Sequence, residues 1–218
     1  MSQSYLILGA FRMSSSTQSS YSFVVDTNIL IDFVIGLAGA EKNPEEALRA
    51  EFAQKLILLS DCNLLFPEIV VKVEFPRVFS RLILERHLTS ENKIKVCVHI
   101  LKYIEEALKD AGHGIVSTWI VKVLKTAAGW YARICSQASC DPQLLDGIKR
   151  RHQDLLVLAT ARVYKAILIT RDEDFVKIRE MINQVMPLCL MKIKDSKLSC
   201  ECIDTQQPNC IRELCPES

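Results

Sequence analysis

The sequence has little net charge and no long hydrophobic run. Among its 218 residues, 27 lysines and arginines face 26 aspartates and glutamates, which gives a net charge of +1. This balance excludes a histone-like basic binder and an acidic tail protein, so any nucleic-acid contact must come from a local patch. No apolar segment approaches the roughly 18 residues that a membrane helix needs, and we therefore expect a soluble protein without membrane association.

A recognisable secretory signal is also missing. The apolar stretch at 5–11 has no basic residue before it and no clear cleavage context after it, which predicts a cytoplasmic, intracellular protein. Residues 1–20 are predicted to be a disordered lead-in because 14–20 read SSSTQSS, and Met13 is a second candidate for the start. The apolar fraction of 49% is enough for one substantial core, so one large domain is expected.

Nine cysteines without a signal peptide do not suggest a secreted disulfide scaffold. Four of them lie in a predicted tail at 193–218 with the spacing C-x-C-x7-C-x4-C: Cys200, Cys202, Cys210 and Cys215. This spacing lacks the paired CxxC of common zinc ribbons, although four thiolates can bind Zn²⁺. A poorly ordered tail is the favoured interpretation, and a zinc site or disulfide clasp is the alternative. The other five are predicted to be small buried hydrophobes: Cys62, Cys97, Cys135, Cys140 and Cys189.

Short β-branched runs alternate with helical patterns along the chain. Strands are predicted at 21–25, 63–66, 166–170 and 186–191. Helices are predicted at 28–36, 44–59, 67–87, 154–164 and 174–184, with two more between 90 and 136. Asn28 is the expected cap of the first helix and Gly36 its end, and the stretch 90–136 is predicted to be all helix. The order predicts an α/β fold, a three-layer α/β/α arrangement with a short central parallel sheet, enlarged by a helical insert at about 90–150.

Carboxylates stand where the predicted strands end, which is where open parallel sheets bind ligands. Asp26 ends the first strand and Asp172 follows the third. Glu74 lies on the helix after the second strand, and Asp154 begins the helix that leads into the third. Each has an ordinary explanation as a cap, a turn residue or a solvated helix position. However, Asp26 and Glu74 are embedded in apolar sequence, where a carboxylate is costly to bury unless it is paired or metal-bound.

Three segments give the chain a resemblance to PIN-domain nucleases, the family that includes VapC-like toxins. They are FVVDTNILIDF at 23–33, PEIVVKVEFPR at 67–77 and DLLVLATARVYKAILITRDEDF at 154–175. The match covers about 24–191 and implies a PIN-like nuclease domain over 21–192. The resemblance implies that the catalytic, metal-binding carboxylates are Asp26, Glu74, Asp154 and Asp172, with Asp174 as a fifth metal ligand. It further implies supporting roles for Thr27, Asn28 and Thr170.

A site of oxygen ligands without His or Cys suits Mg²⁺ or Mn²⁺. Two such ions about 4 Å apart can activate a water for in-line attack on a phosphodiester. No Ser-His-Asp or Cys-His constellation competes with this assignment. The predicted function is therefore a metal-dependent PIN-type endoribonuclease that uses water as the nucleophile and, as the resemblance implies, leaves a 5′-phosphate.

Basic residues near these motifs are expected to hold the RNA backbone. They are Lys149, Arg150, Arg151, Arg171, Arg77 and Arg81. The expected partners are single-stranded or structured RNA, an antitoxin if the chain is VapC-like, an RNA-processing partner, and a second copy in a homodimer. The stretch between Glu74 and Asp154 is longer than in the compact toxin-like members, which favours a general ribonuclease over a toxin.

Three alternatives were weighed. A haloacid-dehalogenase-like phosphatase needs a second acid where Asn28 stands, and a response-regulator receiver needs an aspartate where Phe66 and Pro67 end the second strand. Both therefore fail. The remaining alternative is a catalytically weak or inactive PIN-fold scaffold, an RNA-binding subunit of an RNA-processing assembly, whose binding role would rest on the helical insert and the cysteine tail.

Overall fold

A computed structural model of the chain describes residues 21–39, 41–59, 62–85, 91–137, 152–194 and 196–215. Within these ranges the strands form one sheet in the order β3-β2-β1-β4-β5-β6. Their bounds are β1 Ser22–Val25, β2 Asn63–Pro67, β3 Gly114–Val116, β4 Ile167–Thr170, β5 Leu188–Lys194 and β6 Lys197–Ile203. The first five strands pair in parallel, whereas β6 runs antiparallel to β5. The predicted α/β class is confirmed; the predicted lead-in at 1–20 lies outside the described residues.

Helices flank this sheet. They are α1 Thr27–Ala38, α2 Pro44–Gln54, α3 Phe75–Glu85, α4 Glu91–Asp110, α5 Val121–Gln137, α6 His152–Val163, α7 Asp174–Met181 and α8 Asn209–Leu214. Five-residue π-helical turns follow α2 at Lys55–Leu59 and precede α3 at Val70–Glu74. None of the helices in the described ranges is long and apolar enough to cross a membrane.

The core is built around the two central strands. Residues Phe23, Val24 and Val25 of β1 and Leu168 and Ile169 of β4 are completely buried. Burial on both faces explains why these strands are continuous apolar runs rather than alternating patterns. Because β1 and β4 pair in parallel, the polar residues that follow both strands lie at the same edge of the sheet.

The first helix differs from its prediction at both ends. Asp26, not Asn28, is the N-cap of α1, because its carboxylate accepts the Thr27 backbone N–H. The helix passes through Gly36 and ends at Gly39, which has a φ of 56° and donates back to the Gly36 carbonyl. Gly36 instead allows α2 to approach, since a Cβ there would lie 2.9 Å from the Ala50 Cβ.

The prediction that 90–136 is all helix is wrong. Residues Gly114–Val116 form β3, which pairs in parallel with β2, Phe66 being aligned with Ile115. A strand of three residues that begins with glycine is indistinguishable from a helix break in the sequence, and so it was missed. Part of the predicted helical insert is therefore an edge of the central sheet.

The poorly ordered tail predicted at the C-terminus is also wrong. Residues 193–194 complete β5, residues 196–215 include β6 and α8, and Cys210, Ile211 and Cys215 are buried. Strand β6 pairs along the whole length of β5, from Leu188 opposite Ile203 to Lys194 opposite Lys197. The segment thus closes one edge of the sheet.

Of the two alternatives for the C-terminal cysteines, the structure shows disulfides and not a zinc site, although only Cys200 and Cys215 pair within that group. The pairs are Cys62–Cys210, Cys189–Cys202 and Cys200–Cys215. Cys62 and Cys189 were predicted to be unpaired hydrophobes, but each is cross-linked to the segment after 193. Spacing within the tail could not show partners from outside it. Cys135 is free, whereas Cys140 and the side chain of Cys97 lie outside what the structure describes.

Candidate active site

The carboxyl ends of β1, β2 and β4 meet at one edge of the sheet. Asp26 directly follows β1, and Asp172 lies two residues after β4. Glu74 is the last residue of the π-helical turn that follows β2. The parallel pairing of the three strands places these carboxylates near each other, as the sequence predicts for an open parallel sheet.

Asp26 is buried and held by three donors. Its Oδ1 accepts the Thr27 backbone N–H at 2.7 Å. Its Oδ2 accepts the Thr170 hydroxyl at 2.7 Å and the Asn28 amide at 2.5 Å. With only 6% of its surface exposed, the carboxylate has a fixed orientation at the end of the central strand.

Thr170 and Asn28 connect Asp26 to the loop after β4. The Thr170 hydroxyl accepts the Asn28 amide and the Asp172 backbone N–H, both at 3.0 Å. The Asn28 side-chain carbonyl accepts the Arg171 backbone N–H at 3.3 Å. These bonds determine the position of the Asp172 backbone relative to Asp26.

Glu74 reaches the same edge from the opposite side of β1. Its carboxylate is buried and accepts a hydrogen bond from the Thr27 hydroxyl. Glu74 ends the π-helical turn, whose wider winding shifts side chains away from the positions they would have in an α-helix. Such π-helical turns are frequent at functional sites. All three predicted supporting residues therefore contact a carboxylate: Thr27, Asn28 and Thr170.

Burial shifts the protonation of both buried acids. It raises the pKa of Asp26 from 3.8 to about 7; the Thr170 and Thr27 hydrogen bonds oppose the shift, and the charges of Glu74 and Asp172 add to it. Burial also raises the pKa of Glu74, against the lowering effects of the Thr27 hydrogen bond and the charges of Arg77 and His152. Without a bound cation, the Asp26 carboxyl is therefore partly protonated near neutral pH.

Asp172 and Asp174 occupy the turn between β4 and α7. The Asp172 carboxylate accepts the Asp174 backbone N–H at 2.9 Å, which is a capping contact. The Asp174 carboxylate forms an ion pair with Lys177 at 2.9 Å. Asp174, the predicted fifth metal ligand, is thus engaged with a lysine.

Asp154 lies in the first turn of α6, which faces the Glu74 segment. The neighbouring Gln153 accepts a hydrogen bond from Arg77 at 3.2 Å, and the charge of His152 acts on Glu74. The helix therefore begins at the same edge of the sheet as the other carboxylates. His152 is part of the electrostatic environment of Glu74.

The predicted RNA-binding residues have different surroundings. Arg77 and Arg81 are exposed on α3. Arg171 is instead ion-paired with Asp32, its Nε lying 3.0 Å from Oδ2. The run Lys149, Arg150 and Arg151 lies outside the described residues.

Asp32 is the site residue that the sequence analysis missed. It is 2% exposed on α1, and its other oxygen lies 3.8 Å from the Arg49 Nε. The signal was available, because Asp32 interrupts the apolar run ILIDFVI in the same way that Asp26 interrupts its own. A buried carboxylate between two arginines ties α1 to the start of the loop that carries Asp172.

Within the described ranges, no group of three or more Asp, Glu, His or Cys side chains is arranged so that it could hold a metal ion. The carboxylates at this edge are instead bonded to hydroxyl, amide and backbone donors. Metal binding here would require side chains to turn toward the ion.

No family model matches the sequence, and no significant match was found among curated proteins. Among solved structures, the chain is similar to one described as a toxin-antitoxin complex from Klebsiella pneumoniae. The two share 16% sequence identity with a TM-score of 0.39, and the match covers 70% of this chain and 88% of that chain. Similarity at this level concerns the fold alone, so the functional argument depends on the site.

Proposed function

We propose that the chain is a metal-dependent endoribonuclease of the PIN type, which hydrolyses RNA phosphodiester bonds with water as the nucleophile. The observation that carries this proposal is the buried Asp26 carboxylate, fixed by three donors at the end of the central strand. Its pKa is raised to about 7 by burial, and the charges of Glu74 and Asp172 add to the shift. Burying carboxylates in this way costs electrostatic free energy, and groups with pKa values shifted by burial and nearby charges cluster at functional sites.

The donor set fits a hard divalent cation in its chemistry. The carboxylates that would hold Mg²⁺ or Mn²⁺ are Asp26, Glu74, Asp154 and Asp172, and oxygen ligands without thiolate or imidazole are those that these ions prefer. Burial raises the pKa of Asp26 and repulsion from Glu74 and Asp172 adds to the shift, and a bound cation would offset both effects. When bound, such ions would supply activation of a water and neutralisation of charge developing on the phosphodiester.

The residues around the carboxylates have positioning roles in this proposal. Thr170 and Asn28 hold Asp26, and Thr27 holds Glu74. Partners of this kind fix the orientation of ligating groups and strongly affect metal affinity and activity. The charge of His152 helps to lower the pKa of Glu74.

The substrate must overcome the negative charge of this edge. Arg77 is exposed, and its charge lowers the pKa of Glu74. It also donates a hydrogen bond to Gln153 at the start of α6. It is placed to contact a phosphate between α3 and α6, and Arg81 lies one turn further along α3. Such contacts hold an RNA backbone without reading its sequence. An antitoxin, an RNA-processing partner and a homodimer remain predictions.

The proposal is tested with purified full-length protein and labelled single-stranded RNA in Mn²⁺, with and without EDTA. Asp26→Asn should reduce cleavage by about 100-fold or more, as expected for loss of a metal-ligating acid. Asp110→Asn, at the exposed C-terminal end of α4, is the matched control and should retain activity. Cleavage that persists in EDTA, or full activity of Asp26→Asn, would contradict the proposal. RNA binding without cleavage in any condition would favour the scaffold alternative.

A further inference from the structure

A second concave site lies at the edge of the sheet opposite the carboxylates. It is a cleft of about 630 Å³ bounded by one face of α5, the end of α6 and the segment before β5. Ala166 and Pro187 in its wall directly precede β4 and β5, which places the cleft at the amino ends of these strands. Its volume is within the range of small-ligand sites.

Three cationic side chains line this cleft: Lys122, Arg162 and Lys165. None of them has an ion pair or a side-chain hydrogen bond within the part of the chain that the structure describes. The described lining includes no acidic residue either. All three side chains are exposed at the rim of the cleft, and their positive charges together produce a potential that attracts an anion and that added salt screens.

Stabilisation of helix ends explains only part of this arrangement. Arg162 and Lys165 lie at the C-terminal end of α6, where cations interact favourably with the helix dipole. Lys122, in contrast, lies in the first turn of α5, where a cation is unfavourable and an anion is favoured. Its position is therefore not explained by helix stability, whereas an anion in the cleft would interact with both Lys122 and the α5 N-terminus.

Trp130 lines the same cleft and is only 7% exposed. Its indole N–H forms no hydrogen bond within the described residues, and it is not one of the buried unsatisfied atoms, so it is accessible to water or to a ligand in the cleft. Lys165 has a φ of 53° because it ends α6: its N–H donates to the Arg162 carbonyl and the Ala166 N–H donates to the Ala161 carbonyl. This helix end holds the Lys165 side chain at the rim of the cleft.

We propose that this cleft binds the phosphate groups of a nucleotide or of a nucleic-acid strand. Phosphate oxygens accept from lysine, arginine and an indole N–H at once, and a phosphate chain carries enough charge to pair with three cations. The cleft is separated from the carboxylate edge by the four-residue strand β4, which rises about 13 Å. The proposal therefore stands independently of the nuclease function.

Tryptophan fluorescence tests this site directly, because the chain contains only Trp119 and Trp130. In a Trp119→Phe background, which alters an exposed side chain, the remaining signal comes from the cleft. Pyrophosphate and a single-stranded oligoribonucleotide are titrated separately in EDTA, which prevents metal-dependent cleavage. We expect a saturable change with at least one of them, weakened by added salt. The probe that binds identifies whether a free polyphosphate or a strand is the source of the phosphate.

Two substitutions test the contribution of the cations. Arg162→Gln with Lys165→Gly should weaken binding by about tenfold or more, and glycine at 165 removes the strain of the left-handed backbone, so that folding is preserved. Lys125→Gln, at an exposed lysine of α5 that does not line the cleft, is the control and should leave binding unchanged. No response to either probe up to about 1 mM, or equal affinity in the double variant and the control, would overturn the proposal.

Discussion

The Thr170 hydroxyl donates a 2.7 Å hydrogen bond to the Asp26 carboxylate, although the two residues are 144 positions apart. The same hydroxyl accepts the Asp172 backbone N–H. One side chain therefore fixes two of the proposed catalytic acids relative to each other. The contact follows from the parallel pairing of β1 with β4, in which both strands end at the same edge.

Removing this hydroxyl tests its positioning role. Thr170→Val should reduce RNA cleavage by about 10–100-fold, the effect typical of groups that orient metal ligands. Because the Thr170 hydrogen bond lowers the pKa of Asp26, its loss should also move the acid limb of the pH–rate profile to higher pH. Thr170→Ser keeps the hydroxyl and should restore both rate and profile. An unchanged pH profile in Thr170→Val would contradict this role.

The raised pKa of Asp26 predicts how stability depends on pH in the metal-free protein. With a folded pKa of about 7 against 3.8, the folded state binds a proton more tightly than the unfolded state. Its contribution is fully present below about pH 3.8 and is lost as the pH rises through 7, by about 4 kcal/mol in total. The free energy of unfolding should therefore fall over this range.

Asp26→Asn removes this titration and should make the protein progressively more stable than the parent as the pH rises from about 4 to 8. Chemical denaturation at several pH values in EDTA measures the difference. Asp110→Asn, altering an exposed residue, serves as the control and should track the parent. A constant difference between Asp26→Asn and the parent at all pH values would show that Asp26 is not perturbed.

The ion pairs of Asp32 predict a stability effect. Asp32→Asn leaves Arg171 and Arg49 without their buried partner, and because both arginines are partly exposed we expect a loss of about 1–3 kcal/mol. Glu45→Gln removes the exposed carboxylate that contacts the same Arg49 and should cost less than about 0.5 kcal/mol. Equal effects of the two substitutions, measured by denaturant unfolding, would contradict a special role for Asp32.

The disulfide between Cys62 and Cys210 closes a long loop, with 148 positions between its residues. Replacing both cysteines with alanine should lower the free energy of unfolding by about 2–5 kcal/mol. Cys135→Ala, which removes the free cysteine, is the control and should have a small effect. Mass spectrometry of non-reduced digests checks the pairing; a peptide that joins Cys62 to any other cysteine would contradict it.

The sequence predicted the central strands well because their burial makes them short, nearly continuous apolar runs. Ser22–Val25, Asn63–Pro67 and Ile167–Thr170 lie within a residue or two of their predicted positions. β3 was missed because three residues are too few for a periodic signal. β6 was missed because the residues of an edge strand alternate between exposed and half-buried, so its apolar signal is weak.

The sequence indicated which carboxylates lie at the strand ends, but it indicated neither Asp32 nor the contacts among the site residues. Carboxylates at strand ends indicated Asp26 and Asp172, since strand ends are visible in the sequence. The ion pair between Arg171 and Asp32 could not be predicted from the sequence, because the two residues are 139 positions apart and their contact depends on how α1 packs. The sequence left a disulfide clasp among the C-terminal cysteines as an alternative, but it could not indicate the pairs Cys62–Cys210 and Cys189–Cys202, which join the last segment to cysteines earlier in the chain.

Anomalous diffraction from crystals soaked in Mn²⁺ tests the central claim most directly. The account predicts anomalous density at the carboxyl edge of the sheet, contacted by Asp26 and Asp172 and by Glu74 or Asp154, and its loss in crystals of Asp26→Asn. Crystals that diffract well but show no manganese at this edge, with the carboxylates still bonded to Thr27, Asn28 and Thr170 as in the metal-free protein, would contradict it.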